Sequence, residues 1–319
     1  MYCFDTNQVI ARLKRRSVKR IAIQLPAGLR TRAVEIAKSF ADNGFEARIN
    51  VDPCFGACDI CDPLDAEAIV HFGHTDYDAR SRVPVLYVPV ENDADPAPLI
   101  KQAIPKLTGK TVCLLSTAQH LRSINEITSL LKSAGKEVVL GRGKKSAVPG
   151  QVLGCDFDAL VDADAYLFYG TGNFHPIGIA MRSGQDVIVA DPETNTVRTT
   201  GELKRKLLTK RHAAIEKSRQ AKVFGVLVST KPGQKNLFLA RKLIQLIEKN
   251  NKQGLLVYGN NLSPDALAGL KVDVFVSTAC PRIAIDDYTN YAPKPVLNPV
   301  ELEVLFGKVK WEDYESHYP

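Results

Sequence analysis

The chain has 319 residues, long enough for two or three domains, with 45% hydrophobic and 24% charged residues, as in an ordinary globular protein. No apolar run approaches the roughly 20 residues that span a bilayer, and the first residues, MYCFDTNQVIARLKRR, lack the order of a secretory signal. Seven cysteines in irregular spacing favour metal ligation or catalysis in a reducing compartment over a disulfide framework, so a cytoplasmic protein is expected. The net charge of +7 is concentrated in Lys14 to Arg20 and in Lys204 to Lys222. It suits an acidic macromolecular partner or two solvated helix faces, and no aromatic residues are interleaved as a single-strand binder would want.

In chain order, a short capped helix is expected from Asp5 to Arg16, then a strand at Arg20–Leu25, a PAG turn and an amphipathic helix from about Arg30 to Asn43. Gly44 closes that helix and EARINV follows as a strand. A cysteine loop, a short helix at Leu64–Glu67, the apolar strand AIVHFG and the segment VPVLYVPVE complete the unit. Strands this apolar read as parallel strands covered on both faces.

The pattern then returns twice. TVCLLS, the turn TAQH, a helix over Leu121–Ser133 closed by Gly135, EVVLG, a loop with GQVLGCDFDAL, AYLFYG and DVIVADPE make the second round. KVFGVLVS, the turn TKPGQ, a helix over Lys235–Asn250, LLVYG, a short helix at Pro264–Leu270, VDVFVS and KPVLNPVE make the third. A repeated order of elements implies a repeated supersecondary unit. The fold class is therefore α/β: three homologous domains at 1–108, 109–216 and 217–319, each a small parallel sheet flanked by helices, set with pseudo-threefold symmetry about one centre. Sites in such sheets form at the carboxyl ends of the strands, so PAG, TAQH and TKPGQ could face one shared cleft.

The densest chemical signal is VDPCFGACDICD, Val51–Asp62, with Cys54, Cys58 and Cys61 in the spacing C-x3-C-x2-C. Close thiolates suit zinc or an iron–sulfur cluster. Cys113 lies inside a strand and reads as a small buried hydrophobe; Cys3 is expected in a frayed terminus. Cys155 and Cys280 differ, because each sits in a turn at a sheet edge, in LGCD and STACPRIAIDD. Each unit thus offers a loop cysteine. Spacings as remote as 58, 155 and 280 lack the paired C-x2-C units of zinc sites.

FGACD, LGCD and STACPRIAIDD resemble the three motifs of the archaeal diphthamide-biosynthesis synthases, which make 2-(3-amino-3-carboxypropyl)histidine on translation elongation factor 2. The resemblance covers nearly the whole chain, including the NPVE stretch. It implies a transferase that holds a 4Fe–4S cluster on Cys58, Cys155 and Cys280 and uses S-adenosylmethionine, breaking the bond from sulfur to the methionine Cγ. It also implies a homodimer, an unidentified electron donor and elongation factor 2 as partner, with no membrane and no direct nucleic-acid role. Cys54 and Cys61 depart from the family pattern. They leave open an ordinary radical S-adenosylmethionine enzyme built on Cys54, Cys58 and Cys61, although Ile60 stands where that motif is often aromatic. A quinolinate-synthase-like condensing enzyme and a basic RNA-binding module are further readings of the same chain.

Candidate groups for the remaining contacts come from the turns. Arg282 offers a fork-shaped cation for a carboxylate, Gln234 can hydrogen-bond an amino or carboxylate group, and His120 can contact ligand or substrate. Ser229, Thr230 and Gly233 could approach a nucleotide closely, as could Gly170 and Gly172 of GTGNFHP, which has no phosphate-loop lysine. His71 and His74, alternating with apolar residues in VHFGH, read as structural.

Overall fold

A computed structural model describes residues 2–77, 79–146 and 148–318. The first part of the chain contains β1 (Tyr2–Cys3), α1 (Asn7–Arg15), β2 (Arg20–Gln24), α2 (Ala33–Ala41), β3 (Glu46–Asn50), β4 (Ala68–Phe72), β5 (Val85–Val88) and β6 (Glu91–Asn92). The second contains α3 (Ala97–Ala103), β7 (Thr111–Ser116), α4 (Ile124–Ser133), β8 (Glu137–Val139), β9 (Ala165–Tyr169), α5 (Phe174–Ser183), β10 (Val187–Asp191), β11 (Thr196–Thr199) and α6 (Gly201–Ser218). The third contains β12 (Val223–Ser229), α7 (Leu237–Lys249), β13 (Gln253–Gly259), α8 (Pro264–Leu267), β14 (Val274–Ser277), α9 (Arg282–Ile285), β15 (Val296–Leu297) and α10 (Pro299–Leu305).

The repeat expected from the order of elements reappears as topology. The three main sheets run β3-β2-β4-β5, β8-β7-β9-β10 and β13-β12-β14-β15, each in the order second, first, third, fourth strand, and all these pairs are parallel. The second sheet gains an antiparallel edge strand, β11 on β10. In such an order the loops after the first and third strands flank the crevice where the winding reverses. Those loops are PAG and GHT, TAQH and GTGN, and TKPGQ and TACPR. The six central strands β2, β4, β7, β9, β12 and β14 are almost wholly buried, which explains their near-continuous apolar sequences.

Each sheet carries its own apolar core, such as Ile21, Ile23, Val70 and Phe40 in the first and Phe224, Val226, Leu243 and Val276 in the third. A buried side chain of this size contributes about 1.5–3 kcal/mol. Tyr314 and Tyr318 from the end of the chain join the core of the second sheet with Phe168, Ile179 and Val189. Beneath them Arg211 of α6, fully buried, donates from Nε and Nη2 to Glu301 of α10 at 2.7 and 2.5 Å, and to the carbonyls of Ala284 and Val296.

Several expectations are corrected. Cys3 is not frayed: β1 pairs antiparallel with β6. Leu64–Glu67 forms turns rather than a helix, because Leu64 lies in the left-handed region at φ 54°. KPVLNPVE is a strand only at Val296–Leu297, since Asn298 and Glu301 form a capping box that starts α10. The helices after the first strands begin as 3-10 turns at Ala27–Arg32 and Ala118–Ser123. The basic run Lys204–Lys222 is exposed at Arg205, Lys206, Lys210, Lys217, Arg219 and Lys222, but Arg211 is buried and Lys204 pairs with Glu315 at 2.6 Å. Among the described residues no helix is long and apolar enough to cross a membrane.

Candidate active site

Cys58 and Cys155 occupy equivalent loops, between the second and third strands of their sheets, whereas Cys280 follows the third strand of its own. One loop cysteine per sheet holds, but not at one repeated position. The three loops are nevertheless linked by a chain of contacts. The N–H of Gly233 donates to the carbonyl of Cys58 at 2.9 Å, and a Cβ on Gly233 would stand 2.5 Å from the Cys58 Cβ and 2.8 Å from the ring of Tyr77. Tyr77 Oη lies 3.8 Å from Cys155 Sγ. Next to Cys155, a Cβ on Gly154 would stand 2.0 Å from the ring of Phe174, and the guanidinium of Arg282, two residues past Cys280, covers the same ring at 5.2 Å. Gly154 and Gly233 are therefore close-approach glycines, which let backbone and ring come together where a side chain would intrude.

The thiol environments agree with this convergence. Burial, opposed by the Gln234 amide, raises the Cys58 thiol, and the neighbouring Cys155 sulfur adds to the rise. Burial pushes Cys280 up to about 12, with the Cys58 and Cys155 sulfurs contributing in the same direction. At least one pair of these sulfurs lies beyond 4.8 Å, since among the described residues the one set of three such donors within that distance is Cys54, His71 and His74. A single tetrahedral zinc, at about 2.3 Å from sulfur, needs thiolates roughly 3.8 Å apart. At least one pair is thus set wider than a single tetrahedral ion needs, and three thiolates are the donor type that holds an iron–sulfur cluster. The amide Nε2 of Gln234 donates to Cys58 Sγ at 3.3 Å, the kind of contact that tunes a cluster sulfur.

Cys54 and Cys61 go elsewhere. Cys54 is buried with its Sγ 3.9 Å from His71 Nε2. Cys61 packs beside Ala22 and Ile60 and lines a separate cavity of about 440 Å³ with Asp59, Arg80 and Thr230. Cys54, Cys58 and Cys61, like the wider trio, do not all lie within 4.8 Å of one another, although the Cys61 and Cys58 sulfurs add to the rise that burial gives the Cys54 thiol.

The other sequence-derived candidates divide. Arg282 stands at the thiol ring, paired with Asp286 at 3.0 Å and with half of its side chain exposed. Gln234 is there too, but its amide is directed to sulfur. Ser229 is buried and its hydroxyl accepts from the N–H of Lys231 at 3.1 Å, so it shapes its turn rather than facing a nucleotide. Thr230 lines the separate cavity. His120 is buried against Tyr169 with Nδ1 unpartnered, and Gly170 lies against it, since a Cβ there would stand 3.4 Å from the His120 ring. Burial lowers the pKa of His120 while Glu193 and Asp191 oppose. Among the described residues no hydrogen bond or ring contact joins His120 to the three thiols. The Gly172 carbonyl accepts from Arg198 Nη2 at 3.0 Å.

Tyr77, Phe174, His175, Asp59 and Lys231 were not singled out by the sequence. Their signal was faint: an aromatic in a loop, or a buried pair formed between residues far apart in the chain. Lys231 Nζ stands 2.7 Å from Asp59 Oδ2, tying the TKPGQ turn to the residue after Cys58. His175 stacks on Phe168 near Arg282, and burial, helped by that guanidinium, holds its pKa at about 4.

Comparison with known proteins follows this geometry. Residues 25–315 match the model of the diphthamide synthesis protein family. A 2-(3-amino-3-carboxypropyl)histidine synthase of Pyrococcus horikoshii is 35% identical over 97% of this chain and 91% of its own length. Subunit 1 of the corresponding synthase of Schizosaccharomyces pombe is 29% identical over 98% of this chain and 75% of its own. The crystal structure of Dph2 from Pyrococcus horikoshii superposes with a TM-score of 0.91 at 34% identity, covering 97% of this chain and 93% of that one. A second structure of that protein, with a 4Fe–4S cluster, gives the same TM-score at 33% identity. The chain belongs to the diphthamide synthesis protein family.

Proposed function

We propose that the chain is a 2-(3-amino-3-carboxypropyl)histidine synthase. It would transfer the 3-amino-3-carboxypropyl group of S-adenosylmethionine to a ring carbon of a histidine in translation elongation factor 2, releasing 5′-methylthioadenosine and a proton. The observation that carries this reading is the meeting of Cys58, Cys155 and Cys280 from three sheets, in a chain 35% identical to a protein named for that activity. Three domains at 1–108, 109–216 and 217–319, a homodimer, an external reductant and a cytoplasmic setting belong to the same proposal.

When bound on those three thiolates, a 4Fe–4S cluster supplies a single electron and an iron free of cysteine. The remaining work is done by the chain. Arg282, half exposed beside the thiols, can swing from Asp286 to hold the carboxylate of the transferred group in a bidentate fork. Gln234 keeps its Nε2 on the Cys58 sulfur, and its carbonyl oxygen can accept from the amino group. Phe174 and Tyr77 wall the site and exclude water from a reactive centre. Of His120, Gly170 and Gly172 only Gly172 is exposed at the neighbouring sheet edge, whereas His120 and Gly170 are buried.

The test is to reconstitute the protein anaerobically with iron and sulfide, reduce it with dithionite, add S-adenosylmethionine and identify the nucleoside. Formation of 5′-methylthioadenosine, dependent on iron and reductant, is expected. Predominant 5′-deoxyadenosine would overturn the reading in favour of ordinary radical chemistry, and an iron-loaded protein giving neither would favour a condensing enzyme.

A further inference from the structure

Cys54 lies in the same loop as Cys58 but looks the other way, toward strand β4 and the segment after it. His71 at the end of β4 is fully buried, and His74 follows three residues later. The donor atoms Cys54 Sγ and one ring nitrogen from each histidine all lie within 4.8 Å of one another. None of these groups has a part in the transfer chemistry above.

The hydrogen bonds around His71 decide what its ring can offer. Gln24 Nε2 donates to the Asp59 carbonyl at 2.6 Å, so the amide orientation is set and Gln24 Oε1 is an acceptor. That oxygen receives the Cys61 N–H at 3.3 Å and lies 3.0 Å from His71 Nδ1, which must therefore carry the proton. Nε2 is left with its lone pair, directed at the space shared with His74 Nδ1 at 2.8 Å and Cys54 Sγ at 3.9 Å. A ring whose second nitrogen is fixed by a buried amide is the arrangement found behind metal-ligating histidines. A tetrahedral zinc, with bonds of about 2.0–2.1 Å to nitrogen and 2.3 Å to sulfur, wants nitrogens roughly 3.3 Å apart and nitrogen roughly 3.6 Å from sulfur. His74 would have to draw back from His71 by about 0.5 Å, Cys54 to approach His71 by about 0.3 Å, and the Cys54–His74 separation, now under 4.8 Å, to reach roughly 3.6 Å; both residues sit in loops.

We propose that Cys54 Sγ, His71 Nε2 and His74 Nδ1 form a second metal site for a thiophilic divalent ion such as zinc, separate from the Cys58, Cys155 and Cys280 group. Binding displaces the Cys54 proton and leaves a fourth ligand position for water. Three protein ligands with one open position is a known zinc arrangement. The ion would staple the loop that carries Cys58 to the end of β4, four residues before that cysteine. This inference does not rest on the synthase reading, because its donors are those that reading does not use.

The experiment uses the full chain carrying Cys58→Ala, Cys155→Ala and Cys280→Ala, so that no thiol of the wider group can bind the probe. Cobalt(II) is titrated anaerobically while the visible spectrum is followed, with circular dichroism as the check on folding. Stoichiometric binding is expected, with intense tetrahedral bands and a sulfur-to-cobalt charge-transfer band that zinc abolishes. Adding Cys54→Ser should remove the charge-transfer band, and His74→Ala should weaken binding by at least about 10-fold. If the triple variant does not fold, the zinc content of the otherwise unaltered chain, freed of iron, is compared with that of Cys54→Ser, and loss of the bound zinc is expected. A folded protein that binds no cobalt stoichiometrically, or a spectrum and zinc content untouched by Cys54→Ser, overturns the proposal and leaves His71 and His74 as a simple hydrogen-bonded pair. Either result is independent of whether the intact enzyme forms 5′-methylthioadenosine.

Discussion

Lys231 Nζ sits 2.7 Å from Asp59 Oδ2 with both side chains buried, joining the turn after the first strand of the third sheet to the residue that follows Cys58. With the Gly233 N–H on the Cys58 carbonyl and the Gln234 amide on its sulfur, this turn grips Cys58 in three ways. Removing one partner of a buried pair strands a charge, which costs about 3–5 kcal/mol. Lys231→Met should therefore lower the unfolding free energy by that order and reduce iron loading, while the Lys231→Met, Asp59→Asn double variant should regain much of the stability. Denaturant unfolding and iron assay check both; a single variant as stable as the parent would contradict the grip.

The thiol assignments predict an uneven cysteine series. Cys58→Ala, Cys155→Ala and Cys280→Ala should each abolish the charge-transfer absorbance of the reconstituted protein and lower product formation by more than the about 10–100-fold typical of groups behind the ligands. Cys61→Ala should keep both, since Cys61 packs beside Ile60 and Ala22. Loss of the chromophore in Cys61→Ala with retention in Cys155→Ala would restore the C-x3-C-x2-C reading.

Arg211 and Glu301 make a third test, one of stability alone. The guanidinium is fully buried, bidentate to Glu301, and bonded to the carbonyls of Ala284 and Val296, so it braces α9 just past Cys280. Arg211→Ala should cost about 3–5 kcal/mol, and Arg211→Lys nearly as much because an ammonium cannot satisfy the fork. Thermal unfolding of purified variants reads this directly.

His175 sets a pH dependence. Burial beside Arg282 holds its pKa at about 4 against an ordinary value near 6.5, so the unfolded chain binds the proton first as pH falls. Its neutral state is compatible with the fold above pH 6.5, and stability is lost progressively as pH falls from about 6.5 through 4. The share of His175 is on the order of 3 kcal/mol, and His71, His74 and His120, whose pKa values burial also lowers, act in the same direction. His175→Gln should flatten that part of the stability profile relative to the parent, measured by urea unfolding at stepped pH. Parallel profiles would place the titration elsewhere.

Much of the fold was legible in the residues. Apolar runs such as RIAIQL, TVCLLS and KVFGVLVS, each followed by a turn, an amphipathic helix and Gly or Asn, name three parallel units because such signals are carried by contiguous residues. The GAC, LGC and ACPR cysteines were legible as loop thiols for the same reason, and Cys113 as a buried strand residue. Local chemistry also explains two misreadings. Nothing in Leu64–Glu67 announces that Leu64 turns left-handed, and NPVE carries a capping box in a place where the repeat suggested a strand.

The chain's sequence by itself determined the α/β class, the threefold repeat and the set of cysteines that could ligate. Only the tertiary structure decided which thiols meet, because Cys58, Cys155 and Cys280 are joined through Gly233, Tyr77, Gly154, Phe174 and Arg282, contacts between loops on different sheets. It likewise turned Cys54 toward His71, set the Gln234 amide nitrogen on the Cys58 sulfur, and took Arg211 out of the charged surface. The physical reason is common to all of them. Periodicity and turn chemistry are local properties of a chain, whereas the desolvation and close approach that give a thiol or a guanidinium its role depend on neighbours that only packing brings near.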